Sequence, residues 1–265
     1  MLPDWMPIKH KIEGNRNITL WLIGDVHIGA KEFDEKRFRR DVDAIAADDN
    51  ARFVLLGDII NNATRSAVSN IYEETMFPSA AKKLAVEILE QIKDKCIGAT
   101  GGNHEMRSVK EVDDDPAYDI MCKLGIEHLY RRNGAFIKVH IGDPDVRGRY
   151  NPTYAIFITH GSGGGTTAGA GANKQHRVTA IYEGIDIFVQ GHTHKAVNFY
   201  PQRIVFDTKN NKITRKTITC VTAPSYLDYG GYAMRGGLQP FAPVTSTLIL
   251  CGNRKQVIAQ QRAEF

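Results

Sequence analysis

The chain has few cysteines, and none of them belongs to a metal-binding or redox pair. Its four cysteines are Cys96, Cys122, Cys220 and Cys251, and no two of them are spaced as CxxC. This spacing argues against a zinc–thiolate site and against a thiol–disulfide oxidoreductase. Each cysteine lies in or beside an apolar stretch, so we expect buried, reduced thiols and a cytoplasmic protein.

Long apolar runs, internal repeats and a strong net charge are also missing. No apolar stretch approaches the roughly 20 residues of a membrane-spanning helix. The first residues, Met-Leu-Pro-Asp-Trp, lack the basic and apolar segments of a signal peptide, so no contact with a membrane is expected. The net charge of +4 suits an anionic substrate but is too small to indicate nucleic-acid binding.

The composition that remains is that of a globular protein. Hydrophobic residues make up 42% of the chain and charged residues 24%, the proportions of an ordinary folded domain. A chain of 265 residues buries enough apolar surface to fold without disulfides. We therefore predict one domain over residues 1–265, with its oligomeric state left open.

Short apolar strings alternate with helical patterns in the first part of the chain. Strands are predicted at residues 18–23, 53–56, 96–100, 154–159 and 185–190. Apolar residues recur at helical spacing over 38–45 and 84–92, and helices are also predicted at 117–124 and 174–182. Strands that alternate with helices favour an α/β domain.

The last part of the chain has hairpin signals instead. Apolar strings at 204–206 and 213–221 flank Lys209-Asn210-Asn211, and strings at 245–250 and 256–259 flank Gly252-Asn253. We expect sheets with added antiparallel strands, packed inside helical layers. Between the two parts, the glycine-rich stretch 161–172 predicts a large irregular loop, which is a mobile lid, a close approach of backbone to ligand, or a plain surface loop.

Five polar strings stand at or just beyond the ends of predicted strands. They are Gly24-Asp25-Val26-His27, Gly57-Asp58, Gly102-Asn103-His104-Glu105, Thr159-His160-Gly161 and Gly191-His192-Thr193-His194. Ligands of α/β sheets bind beyond the carboxyl ends of the strands. Residues i and i+2 of an extended segment point the same way, so each Asp-x-His or His-x-His pair can reach one pocket. Carboxylate, imidazole and amide donors without thiolate favour Mn²⁺, Fe or Zn²⁺.

This motif set resembles that of the calcineurin-like metallophosphoesterases over Asp25 to His194. The resemblance implies two mixed β-sheets sandwiched between helical layers, an α/β/β/α fold. It also implies two divalent metal ions, with manganese expected and Fe or Zn²⁺ as alternatives. Asp58 would bridge the ions, and His104 would be a catalytic histidine that is not a ligand. The other implied ligands are Asp25, His27 and His194 at the first ion, and Asn103, His160 and His192 at the second.

The implied reaction is hydrolysis of a phosphate ester by a metal-bridging hydroxide. Protonated His104 would donate to the leaving oxygen. Glu105 or Asp119 would orient that imidazole, and the alternative for Glu105 is a surface carboxylate.

The residues after Asp58 bear on the choice of substrate. Protein phosphatases of this family carry Asp-Arg-Gly where this chain has Asn61-Asn62-Ala63, and an asparagine brings no charge to a phosphate. Arg65 is a possible substitute or a plain surface residue. The Gly-Asp-Ile-Ile-Asn and Gly-His-Thr-His strings are similar to those of the phosphodiesterase and nuclease branches, so a phosphodiester in DNA, RNA or a nucleotide is the expected substrate.

Two further features favour nucleic acid, each with a structural alternative. A basic run on the first predicted helix could hold phosphates, or it could be a solvated helix face. Three tyrosines near Gly230 and Gly231 could stack on bases, or they could be structural. The residues are Lys36, Arg37, Arg39 and Arg40 in the run, and Tyr226, Tyr229 and Tyr232. The competing functions are a phosphomonoesterase for small molecules or phosphoproteins, and a non-catalytic scaffold.

Overall fold

Two mixed β-sheets form the body of the protein in a computed structural model, which describes residues 5–64, 71–143, 151–163 and 167–263. The strands of these ranges are β1 (Ile8–Ile12), β2 (Ile18–Ile23), β3 (Ala51–Leu56), β4 (Cys96–Thr100), β5 (Ala135–Ile141), β6 (Thr153–Thr159), β7 (Ile187–Gln190), β8 (Val197–Phe199), β9 (Gln202–Asp207), β10 (Lys212–Thr217), β11 (Thr219–Thr222), β12 (Val244–Leu250) and β13 (Val257–Ala263).

The helices of the same ranges are α1 (Glu35–Ala47), α2 (Pro78–Leu89), α3 (Glu105–Val112), α4 (Pro116–Lys123), α5 (Ala168–Thr179) and α6 (Gly231–Arg235). Short 3₁₀ turns lie at Ile71–Glu73, Glu90–Lys95 and Glu127–Leu129. None of the helices within these ranges combines the length and apolar character that crossing a bilayer requires.

Parallel and antiparallel pairs occur in both large sheets. The five-stranded sheet has the order β13–β12–β2–β3–β4, with β2, β3 and β4 parallel. The six-stranded sheet has the order β1–β5–β6–β7–β11–β8, with β6, β7 and β11 parallel. The parallel strands β3, β4 and β7 are buried along almost their whole length, as expected for parallel strands covered on both faces.

Helices cover the outer faces of the sheets. An apolar stripe on α1, formed by Phe38, Val42 and Ile45, is fully buried, and α1 packs against β3. Asp34 begins this helix by accepting a hydrogen bond from the backbone N–H of Arg37 at 2.9 Å. On the other side of the molecule, α5 packs against β8 and β11.

The inner faces of the two sheets meet at β4, which packs against β5 and β6. Gly98 of β4 makes this approach possible, because a Cβ atom there would lie 2.5 Å from Ile137 Cδ1 of β5. The predicted arrangement, two mixed sheets between helical layers, is confirmed.

Several elements differ from the sequence-based expectation. The helix predicted at 174–182 begins earlier, at Ala168, so the glycine-rich stretch is a loop only in its first part, and residues 164–166 lie outside the described ranges. The apolar string 213–221 divides between β10 and β11, which belong to different sheets. Cys122 is exposed on α4, whereas the other three cysteines are buried as expected, and all four are free thiols.

Candidate metal centre

Every predicted ligand follows the carboxyl end of a strand, and the strands come from both sheets. Asp25, Asp58 and Asn103 follow β2, β3 and β4 of the five-stranded sheet. His160 follows β6 of the six-stranded sheet, and both His192 and His194 follow β7. The candidate centre therefore lies at the edge where the two sheets meet.

The first cluster joins a carboxylate and two imidazoles. His194 Nε2 lies 3.2 Å from Asp25 Oδ1 and 3.2 Å from His27 Nε2. Asp25 and His27 are buried, whereas His194 is partly exposed. One ligand atom from each of the three residues falls within 4.8 Å of the others.

The second cluster contains two imidazoles and an amide oxygen. Asn103 Oδ1 lies 2.8 Å from His160 Nε2 and 2.7 Å from His192 Nδ1. The two imidazole nitrogens are 3.2 Å apart. Asp58 joins this cluster to the first, since its Oδ2 atom lies 3.4 Å from His160 Nε2 and 3.8 Å from His27 Nε2. The structure thus brings all seven predicted ligand residues together.

The backbone achieves this convergence in a different way from the one expected. Five of the seven residues have left-handed φ angles between 50° and 70°, so the Asp-x-His and His-x-His segments are turned, not extended. His192 and His194 consequently lie in different clusters, His194 with Asp25 and His27, and His192 with Asp58 and His160. Left-handed non-glycine residues are uncommon and concentrate at functional sites. The five are Asp25, His27, Asp58, His192 and His194.

Hydrogen bonds to the rear nitrogens orient two of the ligand imidazoles towards the site. His160 Nδ1 donates to the carbonyl oxygen of Leu56 at 2.7 Å, which leaves Nε2 to face Asn103. His27 Nδ1 donates to Asn61 Oδ1 at 3.2 Å, and the Asn61 amide donates in turn to Glu74 at 2.5 Å. Such outer hydrogen bonds fix the tautomer and ring orientation of metal-binding histidines. The Glu74–Asn61–His27 chain was not visible in the sequence.

Electrostatics keep the carboxylates of the site ionised. Burial opposes ionisation of Asp58, but the facing imidazoles, led by His160, hold the pKa of this carboxyl well below its usual range. Burial lowers the pKa of His160, yet Asp58 outweighs it and raises the pKa to about 10. The proton on His160 is thus the charge that a bound cation would replace.

Glu105 is structural, so both expectations about it were wrong. It is fully buried, not at the surface, and no hydrogen bond joins it to the His104 ring. Its carboxylate accepts backbone N–H groups of Asp58, Ile59 and Ile60 at 2.7–3.2 Å, which holds the turn after β3. A fourth N–H comes from Gly102, where a Cβ atom would lie 2.7 Å from Glu105 Oε2. Burial and the Asp58 charge raise the pKa of Glu105 to about 7.

His104 stands beside the clusters, at the start of α3. Its Nδ1 donates to the carbonyl oxygen of Asn61 at 2.7 Å, and its Nε2 lies 3.7 Å from Asp58 Oδ2. The other carboxylate expected to orient the ring, Asp119, instead pairs with Lys82 and Lys123 at 2.8 Å and 2.5 Å. A backbone carbonyl therefore takes the orienting role.

Arg107 is the functional candidate that the sequence reasoning missed. One turn along α3 from His104, it donates to His104 Nε2 at 3.1 Å and to the Asn61 carbonyl at 3.1 Å. In the described part of the chain, no carboxylate lies within ion-pair distance of its guanidinium. The available signal was the spacing of three residues, which places both side chains on one helix face. Arg65, the substitute considered from the sequence, lies outside the described residues.

Most of the basic run on α1 is neutralised locally. Arg37 is buried and donates to the carbonyl oxygen of Ser225 at 2.5 Å. Arg39 pairs with Glu35 at 2.7 Å, and Arg40 pairs with its neighbour Asp41 at 2.8 Å. The run as a whole is therefore not a free phosphate-binding surface.

Tyr226 is structural as well. It is buried, its hydroxyl donates to Asp41 at 3.1 Å, and its backbone N–H donates to the carbonyl oxygen of Asp25 at 3.0 Å. It supports the Asp25 turn and cannot stack on a base. Tyr229 is exposed, and the side chain of Tyr232 lies outside the described residues.

The donor set fits a pair of divalent cations. Its atoms are carboxylate oxygens, imidazole nitrogens and an amide oxygen, the donors that suit first-row divalent metals. Donor separations of 2.7–3.2 Å match the edges of coordination polyhedra, which are about 3 Å long when metal–ligand bonds are about 2.1 Å. Asp25, His27, His194 and Asp58 would hold one cation; Asp58, Asn103, His160 and His192 would hold the other.

Comparison with known proteins agrees with this geometry. No curated protein matches the chain. The family model described as calcineurin-like phosphoesterase matches residues 18–196, which include all seven ligand residues as well as His104 and Arg107. The chain belongs to the calcineurin-like phosphoesterase family, and it is a metal-dependent hydrolase of phosphoester bonds.

Proposed function

We propose that the protein is a phosphodiesterase that acts on nucleic acid or nucleotides. The observation that carries the proposal is the position of Asn62, which stands where protein phosphatases of the family have their phosphate-binding arginine. Its side chain is buried and donates to the carbonyl oxygen of His104 at 2.8 Å and to Ser108 Oγ at 2.9 Å. The Asn62 amide is thus occupied by hydrogen bonds to the start of α3 and is not available to bind the phosphate of a substrate.

Arg107 is then the one guanidinium of the described chain beside the clusters. A diester carries a single negative charge, whereas a monoester carries up to two, so the diester needs less cationic help from side chains. The rim of the site is open, because Asn103 is exposed and both His192 and His194 are partly exposed. This openness suits a phosphate with substituents on two sides.

Each group at the metal centre has a separate role in the proposed hydrolysis. Two divalent cations, expected to be manganese, would supply Lewis acidity and a hydroxide nucleophile near neutral pH. Arg107 binds a nonbridging phosphoryl oxygen with its guanidinium. When the Arg107 guanidinium turns from His104 Nε2 to the phosphoryl oxygen, this nitrogen takes a proton from water, and the imidazolium then gives that proton to the leaving oxygen. The Asn61 carbonyl keeps the ring in place during this step.

The test compares hydrolysis of a bis-aryl and a mono-aryl phosphate ester by the manganese-loaded protein. We expect the diester to have the higher kcat/KM. Dinucleotides, single-stranded DNA and RNA form the second panel. Elemental analysis of the purified protein identifies the bound metal.

Asp58→Asn and His192→Ala are the matched inactive controls, and both should lose hydrolysis while circular dichroism shows an intact fold. A clear preference for the monoester would instead establish a phosphomonoesterase. Full activity in either variant would remove the assignment of the metal centre.

A further inference from the structure

The net charge of the chain is concentrated in one hairpin. Residues 202–217, formed by β9, β10 and their turn, are here called the basic hairpin. They contain five basic residues and one acidic residue, a net charge of +4. The whole chain has 34 basic and 30 acidic residues, so the remainder has 29 of each and is neutral. A charge that looked weak when averaged over the chain is therefore strong at one place.

The hairpin is a separate two-stranded sheet, outside both large sheets. Its base is attached to the body of the protein by Arg203 and Lys216. Arg203 donates to the carbonyl oxygens of Thr179 and Tyr182 at the end of α5, and Lys216 pairs with Asp186 at 3.4 Å. Arg203 and Lys216 face each other across the strands. The face that carries them is therefore turned towards the protein.

The opposite face is turned to solvent and is apolar as well as basic. Phe206 pairs with Ile213 across the strands, and Ile204 pairs with Arg215, so these four side chains share one face. Ile204, Phe206 and Ile213 are 77%, 60% and 70% exposed. Arg215 is exposed too and makes no ion pair among the described residues.

Two lysines add charge at the turn end of the hairpin. Lys209 lies in the turn, and Lys212 lies at the start of β10, where it pairs with Asp207 on the other face of the ribbon. Both lysines are exposed, and neither has an ion-pair partner in the described part of the chain. A ribbon with one aromatic and three free cations is the composition by which proteins hold single strands, with bases on the aromatic ring and phosphates on the cations.

We propose that the outer face of the basic hairpin binds single-stranded nucleic acid. Phe206 stacks on a base and Arg215 contacts a phosphate on this face, while Lys209 and Lys212 contact phosphates from the turn end of the hairpin. This inference rests on the proposed function, because the bound strand is taken to be the substrate. It adds a docking surface that is separate from the metal centre.

The hairpin lies away from the catalytic edge. Thr222, at the catalytic end of β11, pairs with Val197, and the hairpin begins beyond the other end of this pair, where Ile218 donates to the carbonyl oxygen of Pro201. Four residues of strand separate the two ends, a distance of about 13 Å. A dinucleotide at the metal centre would not reach the hairpin, whereas a longer strand would.

The shape of the hairpin favours nucleic acid over a lipid surface. A membrane-inserting hairpin places its apolar side chains at the tip, but here the turn is Thr208, Lys209, Asn210 and Asn211. The apolar side chains lie along the flank instead, where an extended strand can run beside them.

The test measures binding of a fluorescent single-stranded oligonucleotide by anisotropy over a range of salt concentrations. In the triple variant Lys209→Gln, Lys212→Gln and Arg215→Gln, affinity should fall at least tenfold. The slope of log affinity against log salt should become shallower by about 2, since each phosphate contact on a single strand contributes about 0.7. Phe206→Ala should weaken binding about fivefold or more without changing the slope, because stacking releases no counterions.

The matched control removes three exposed lysines elsewhere, by Lys9→Gln, Lys11→Gln and Lys83→Gln, and should bind almost as the unchanged protein does. In all variants, hydrolysis of the bis-aryl ester should be unchanged, whereas KM for the oligonucleotide should rise with the hairpin substitutions. The metal centre does not include the hairpin, so these two readouts separate docking from chemistry.

Equal affinity and salt slope in the hairpin triple variant and the lysine control would overturn the inference. So would hairpin-dependent binding to anionic phosphatidylserine vesicles with no binding to the oligonucleotide. A protein that hydrolyses no ester would contradict the proposed function, and the anisotropy measurement would still decide whether the hairpin binds a strand.

Discussion

At the scale of single residues, the sequence motifs identified side chains that do converge. What they did not reveal was how each side chain is held. The expected extended alternation gave way to left-handed backbone at Asp25 and His27, because the chain turns sharply after β2. Arg107 escaped notice because its relation to His104 depends on α3, a helix too short to show an apolar period. The Asn61–Glu74 contact joins distant residues, which a single sequence does not connect.

Arg107→Gln should lower kcat/KM for phosphate esters by about 10- to 100-fold. The glutamine loses one charge-assisted hydrogen bond, worth about 1.5–3 kcal/mol. Metal content by elemental analysis should stay unchanged, because Arg107 is not a ligand. Steady-state kinetics on the bis-aryl ester measures the effect, with Arg107→Lys expected to retain part of the activity. Lys110→Gln removes a positive charge from the exposed side of α3 and is the control. An equal loss of kcat/KM in this variant would show that the effect comes from positive charge on the helix in general and not from a contact made by Arg107.

Asn61→Ala should weaken the binding of the cation at the first cluster by about 10- to 100-fold, the usual cost of losing an outer hydrogen bond to a metal ligand. The substitution frees His27 Nδ1 but keeps the backbone carbonyl that holds His104. A manganese titration followed by elemental analysis measures the affinity. Asn198→Ala on exposed β8 is the control. Unchanged manganese affinity in Asn61→Ala would show that His27 needs no orientation from behind.

At the scale of elements, the buried strands were the most predictable part of the fold. β2, β3, β4, β6 and β7 all read as apolar strings, since parallel strands covered on both faces have no polar side to obscure them. β1 and β5 were missed because they alternate with lysine and histidine and contain few uninterrupted apolar residues. The partition of 213–221 between two sheets depends on pairing with β7 and β9, and no local pattern specifies such partners.

The contact between the sheets gives an element-scale prediction. Gly98→Ala should destabilise the protein by about 1–3 kcal/mol, the usual cost of overpacking, because the new methyl group would press on Ile137 Cδ1. Ile137→Val deletes that atom and should recover part of the loss in the double variant. Urea denaturation measures the free energy of unfolding in all three proteins.

Gly169→Ala is the control, since a Cβ atom there meets nothing within 4 Å. It should be neutral or slightly stabilising, because alanine is the better helix former. If Ile137→Val gave no recovery in the Gly98→Ala background, the close approach of β4 and β5 would not be what requires glycine.

At the scale of the whole molecule, composition suggested an ordinary globular protein and concealed its asymmetry. The net charge of +4 says little when it is averaged over the chain, because the excess of basic residues is concentrated in the basic hairpin. The assignment of residues 1–265 to one domain stays a prediction. It implies a single cooperative unfolding transition.

Differential scanning calorimetry tests both cooperativity and metal binding. We expect one transition, with a Tm that is lower after dialysis against EDTA and restored by manganese, since a ligand that binds only the folded state stabilises it. Asp58→Asn should show little of the manganese-dependent rise. Two separate transitions would contradict a single domain, and a Tm insensitive to manganese in the unchanged protein would contradict a metal centre among these ligands.

The origin of the ligands in both sheets has a further consequence. Both of the clusters that contain the predicted ligands take at least one donor from the five-stranded sheet and at least one from the six-stranded sheet. A cation bound by ligands from both sheets would link the two layers across their interface, which is otherwise held by apolar packing. Scarcity of metal in a cell would then do more than abolish the activity. It would weaken the contact between the two sheets and expose the chain to proteolysis, so the lifetime of the protein would depend on the supply of metal.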